Sequence, residues 1–198
     1  MRRSRFDSDF RGGGRHAFTL TEMLIAIGII AVLAAVAIPA FRGNETQSLD
    51  AVARVLASDL RLARSLAVQY NTDWTVRFEP AANAYELVHT GTGNPPAPQL
   101  PLTAPASDGR YRIELNRLGS SVRRQTGTRL IGATLRDAGS AVTEVTFGPT
   151  GGTGPLRSED TLIWISTGTG SDTRYVRLAV LWVTGQIWID RPATFTSP

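Results

Sequence analysis

Two histidines, His16 and His89, are the only imidazoles in this chain, and it has no cysteine. A thiol nucleophile, a disulfide and a thiolate metal site are therefore excluded. Neither histidine belongs to a Ser/His/Asp set or a metal-ligand cluster, and His89 reads as a surface residue at a strand end. The runs Gly151-Gly152-Thr153-Gly154 and Gly168-Thr169-Gly170 lack the basic residue and the strand-to-helix setting of a phosphate loop, so they read as turns. Glu159, Asp160 and Asp172 are not spaced as a calcium loop. No enzymatic activity, cofactor or metal is expected. Two charged features remain. Arg110, Arg112, Arg117, Arg123, Arg124, Arg129 and Arg136 form a basic concentration, set against Asp108, Glu114 and Asp137. It reads either as a solvated or partner-facing surface or as a patch for the DNA backbone. Glu22 stands at the mouth of an apolar run, where a carboxylate costs roughly 2.5–3.5 kcal/mol on insertion and usually marks function; the plainer reading is a glutamate at headgroup level.

The elements that must position these residues begin with that run. Residues 23–41, MLIAIGIIAVLAAVAIPAF, hold no charge. At about 19 residues and roughly 28 Å as a helix, the run matches the hydrocarbon thickness of a bilayer. Arginines precede it, which places the N-terminus in the cytoplasm and the bulk outside. The net charge is +4, but residues 1–17 carry five arginines and two aspartates, so most of the excess is a targeting feature and a weak argument for nucleic acid. Three readings compete: a cleaved secretory signal, which would want a shorter apolar core, a plain signal anchor, and a segment cut before the apolar run. Leu49, Val52, Ala53, Leu56, Leu60, Ala63, Leu66, Ala67 and Tyr70 then recur at helical spacing, opposite Asp50, Arg54, Ser58, Arg61 and Ser65. Helix over about 18–70 would be roughly 80 Å long and end at Asn71-Thr72-Asp73. Beyond it the period becomes two. Strands are predicted at 74–78, 85–88, 111–115, 129–135, 142–147, 162–166 and 174–183, with a last one ending near Asp190. Residues 79–84 read as a hairpin turn and 90–106 as a loop, and no further helix is expected. Trp164, Trp182 and Trp188 read as core or interface, with core favoured, since β periodicity alone does not decide.

The residues Ala17-Phe18-Thr19-Leu20-Thr21-Glu22-Met23 resemble the type IV prepilin signature, a small residue before a cleaved bond followed by Phe-Thr-Leu-x-Glu. The family has Gly before the cut and this chain has Ala17. The resemblance implies cleavage between Ala17 and Phe18 by a prepilin peptidase and N-methylation of Phe18. It also implies Glu22 at the fifth mature position and a helix-kinking Pro39 at the twenty-second. Pairing of Glu22 with the freed Phe18 ammonium of a neighbouring subunit would let a subunit leave lipid for a filament core. The stretch Leu56–Ala67, the turn Val145-Thr146-Phe147-Gly148-Pro149-Thr150-Gly151 and the turn Val183-Thr184-Gly185-Gln186-Ile187 are similar to the GspH/FimT family of minor pseudopilins and pilins.

That resemblance implies an α+β, pilin-like fold: a leader at 1–17, a transmembrane and assembly helix at 18–41, an amphipathic helix at 42–71 and an extracytoplasmic antiparallel β head at 72–198. It implies a single-pass protein of the inner membrane, partnered by other pseudopilin or pilin subunits and an assembly platform, and serving as an H-type minor pseudopilin of a type II secretion system. The alternative is a minor pilin that binds DNA for uptake. Its basic Gly-Arg-x-Arg turn reads Gly185-Gln186-Ile187-Trp188 here, which weakens that alternative.

Overall fold

A computed structural model describes residues 19–42, 44–96, 98, 110–118, 127–155 and 157–192, with side chains of 34–46 excepted. The chain divides into two compact units, Met1–Arg42 and Gly43–Pro198. The first contains helix α1, Leu20–Arg42. Its described side chains, up to Leu33, leave large apolar groups exposed on every face, Leu24, Ile25, Ile27 and Ile30 among them. An isolated helix that is apolar all round wants lipid or other helices around it. Among the described residues no helix is long and apolar enough to cross a membrane, and the predicted span runs on past Leu33 into the residues without described side chains.

The second unit opens with α2, Asn44–Tyr70. Whether α1 and α2 are one continuous helix turns on residue 43, which lies outside the described residues. Leu49, Val52, Ala53, Leu56, Ala57, Leu60, Ala63 and Ala67 are nearly inaccessible, so the predicted stripe is the face buried against the head. Arg54, Ser58, Arg61 and Ser65 face outward, as their spacing predicts. The helix stops in a Schellman arrangement. Asn71 adopts a left-handed conformation (φ 51°), Thr72 N–H donates to the Ala67 carbonyl at 3.1 Å, and Asn71 N–H donates to that of Val68.

Among the described residues the strands that follow are β1 Trp74–Glu79, β2 Ala84–His89, β3 Tyr111–Glu114, β4 Arg129–Leu135, β5 Ala141–Val142, β6 Glu144–Phe147, β7 Thr161–Thr167, β8 Arg174–Val180 and β9 Ile187–Asp190. They form two antiparallel sheets, β3-β2-β1-β6 and β5-β4-β7-β8-β9. The strand predicted over 142–147 is divided. Val142 pairs with Ala133 of β4 in one sheet, while Glu144 pairs with Arg77 of β1 in the other, so the chain changes sheets at Thr143. Val142 packs on the core and so do Val145 and Phe147, so the inward-facing positions change parity at the crossing. The strand predicted to reach Val183 ends at Val180, and three single turns of 3-10 helix, at Pro80–Ala82, Leu115–Arg117 and Gly170–Asp172, appear where no helix was expected.

Asn83 joins the two sheets. Its left-handed backbone closes the β1–β2 turn, its Oδ1 accepts from Leu130 N–H of β4 at 2.7 Å, and its Nδ2 donates to the Thr128 carbonyl and to Asn116. Asp59 joins α2 to the first sheet. Its buried carboxylate accepts hydrogen bonds from Tyr85 OH at 2.5 Å and Tyr111 OH at 2.7 Å. Burial raises its pKa above the usual carboxylate value, outweighing the two tyrosine hydrogen bonds, and the phenols are pushed up as well, by burial first. A carboxyl with a raised native pKa favours folding in its protonated form. Its contribution is therefore present below the unfolded value near 4 and is lost as pH rises through the native value. Asp59→Asn keeps a donor and an acceptor for the two phenols without the charge. Thermal unfolding should show the wild type losing stability relative to this variant between pH 4 and pH 7; a constant difference over that range would refute the assignment.

Candidate functional site

The N-terminal feature is built on a helix start. Thr19 Oγ1 and the Thr19 carbonyl both accept from Glu22 N–H, at 3.3 and 3.1 Å. Thr19 is thus the N-cap, and Glu22 occupies the third helical position, exposed, where a carboxylate suits the positive end of the helix. Ala17 and Phe18 lie outside the described residues. Pro39 lies within the span of α1, but its side chain is not among those described.

The described basic residues of 110–136 are divided between the two sheets. Arg112 of β3 sits between Glu79 (2.7 Å) and Glu114 (3.1 Å), and Arg117 pairs with Glu114 at 3.0 Å. Contact with Glu79, foremost, raises the Arg112 pKa further. Arg129 and Arg136 belong to or follow β4 of the other sheet, and Arg136 is paired with Asp160 at 2.7 Å. Arg110 is exposed, while Arg123 and Arg124 lie outside the described residues. Carboxylates already face three of the seven charges, which lowers the positive potential a phosphate backbone would meet.

His89 is half buried rather than free on the surface. Its ring leans on Trp74 at 5.3 Å, and its Nε2 lies 2.9 Å from Thr72 Oγ1. That hydroxyl donates its own proton to the Thr92 carbonyl, so the ring must be the donor in their contact. No group of three or more metal-ligating side chains occurs among the described residues.

A junction not legible in the sequence draws three distant segments together. Arg64 of α2 donates from Nε to the Gly151 carbonyl at 3.2 Å. Gly151 (φ 82°) closes the 148–152 turn, where its N–H donates to Gly148 and Gly148 N–H donates to Gly152. Gly185 (φ 63°) closes the 181–186 turn against it, so tightly that a Cβ there would collide with the Gly151 carbonyl oxygen. Thr153 N–H binds the Trp182 carbonyl and completes the lock. The arginine of the helix stretch and the glycines of the two turns are thus one structural unit. The indoles divide: Trp164 is 2% exposed, but Trp182 and Trp188 are 37% and 61% exposed and do not belong to the core.

A helix start with this cap and carboxylate, leading into an all-apolar helix, together with a second helix laid on a two-sheet β head, defines a prepilin-type filament subunit. The model of the prokaryotic N-terminal methylation motif matches residues 13–38. The model described as type II transport protein GspH matches residues 52–184, more than half of the chain, and the chain belongs to that family of minor pseudopilins. No curated protein matches it. Solved structures similar to it include the type IV minor pilin FimU of Pseudomonas aeruginosa, at 18% identity and TM-score 0.44, covering 75% of this chain and 95% of that one. Another is the minor pseudopilin EpsH from the Type 2 Secretion System of Vibrio cholerae, at 12% identity and TM-score 0.47, covering 74% of this chain and 99% of that one.

Proposed function

We propose that the chain acts mechanically, as a minor pseudopilin at or near the tip of a short periplasmic filament that moves folded proteins outward. The observation that carries this reading is the methylation motif, which runs into and through most of a helix with exposed apolar side chains on every face. Such a helix is stable in lipid or in a filament core, and passage between the two is what assembly requires. In this reading the precursor lies in the inner membrane with its N-terminus in the cytoplasm. A prepilin peptidase cuts it before Phe18, and an assembly platform extracts it. Phe18 and Glu22 then carry assembly, while the head contacts other minor subunits. The role needs no catalytic step, cofactor or metal.

Loss of the chain from its host should lower extracellular levels of the proteins exported by the type II system by about tenfold or more, with DNA uptake unchanged. Unchanged export with lost transformation would instead favour the DNA-uptake pilin. The purified full chain in detergent should not retard DNA at low salt; retardation with a steep salt dependence would support that alternative.

A further inference from the structure

The second sheet ends at β9, and its outer edge faces a groove of about 540 Å³ lined by Arg61, Arg64, Gln186, Ile187, Trp188 and Ile189. Leu181 N–H donates to the Gln186 carbonyl, and antiparallel pairing alternates from there. The main-chain groups of Trp188 and Asp190 therefore turn toward β8, and those of Ile187 and Ile189 turn away from it. Arg61 Nη2, 3.3 Å from the Ile187 carbonyl, confirms this direction. Among the described residues no strand pairs with this edge, and such an edge is a template for another strand. Both guanidiniums at the groove bind only main-chain carbonyls, of Ile187 and Gly151, and neither has a carboxylate partner among the described residues. Asp190 of β9 and Asp50 of α2 are already engaged, with Arg177 and Arg191. Ile189 stands partly exposed on the same face of β9 as Ile187, and Trp188 is exposed on the opposite face.

We propose that this groove receives an extended acidic segment of another protein, which adds as a strand to β9 and places a carboxylate on Arg61 and Arg64. Main-chain pairing supplies affinity in such complexes, while side-chain contacts select the partner. The arginine–carboxylate pair sets the sign of charge accepted, and Ile189, on the same face of β9 as Ile187, supplies an apolar contact beside it. The inference stands whichever export machine the chain serves.

The test uses the full chain in detergent micelles with labelled amides, and a capped hexapeptide of alternating valine and glutamate as probe. Saturable shifts are expected at the amides of Ile187 and Ile189, larger than those at Trp188 and Asp190. Binding should weaken at least tenfold in the Arg61→Glu/Arg64→Glu double variant, whose unfolding temperature checks that it folds. A valine–lysine peptide should not bind. Binding indifferent to the double variant or to peptide charge would overturn the proposal. So would Ile187 and Ile189 amides already as slow to exchange as that of Trp188 in the free protein, since a segment of the chain itself would then cover the edge. An oligothymidylate that shifts the same amides while the acidic peptide does not would also overturn it.

Discussion

Gly185→Ala is expected to destabilise the head by about 3 kcal/mol, a fall of roughly 6–12 °C in unfolding temperature for a unit of this size. Two costs combine. Alanine at a φ of 63° meets the left-handed penalty of about 1 kcal/mol. The new methyl group would also strike the Gly151 carbonyl oxygen, the atom that accepts the Arg64 hydrogen bond, and press on the Arg64 side chain. Relief requires the two turns to part, which exposes the end of the core between them. Gly170→Ala separates the two costs. Its φ is 61°, yet a Cβ there would meet nothing within 4 Å, so only the conformational penalty of about 1 kcal/mol applies. Thermal unfolding of both variants decides the matter; equal losses would mean that the turns are not locked together as described.

The second large effect concerns assembly. If Glu22 leaves lipid by pairing with a neighbour's terminal ammonium, removing the carboxylate takes away roughly 2.5–3.5 kcal/mol of the difference between membrane and filament. Glu22→Ala should then reduce incorporation into filaments about a hundredfold, as read from the sheared fraction, while the unfolding temperature of the head stays within about 1 °C. The geometry suggests a rival explanation, because Glu22 sits in the first turn capped by Thr19 and could act only on the helix start. Glu22→Gln distinguishes them. Glutamine supports a capping box nearly as well as glutamate but carries no charge. Charge pairing predicts that Gln fails as Ala does, and a capping role predicts that it assembles normally.

The parts of the fold that were legible in the sequence are those set by local periodicity and local chemistry. The apolar stripe of α2 fixes its buried face, Asn71 supplies the left-handed residue that ends it, and the 79–84 segment turns β1 into β2 as its composition predicts. What escaped depends on contacts between distant segments. A period of two shows that Trp164 and Trp188 each point to one side of a strand, but not which side the rest of the chain covers. The helix stretch with Arg64 and the two glycine turns were visible as separate similarities, and only the fold reveals that they meet. Asp59 reads as one more polar residue of an amphipathic helix until Tyr85 and Tyr111 close over it. The basic cluster is the reverse case. Its arginines are near in sequence, yet β3 and β4 carry them to different sheets, and Glu79, Glu114 and Asp160 meet three of them there.

The central claim is that this chain is processed as a prepilin, and the mass of its N-terminal peptide, taken from the protein in its native membrane, tests it most directly. The account predicts a peptide that begins at Phe18 and is heavier by one methyl group, which would also show that Ala17 is accepted before the cut. A peptide that retains residues before Phe18 would contradict it, and the filament role assigned to Phe18 and Glu22 would have to be given up.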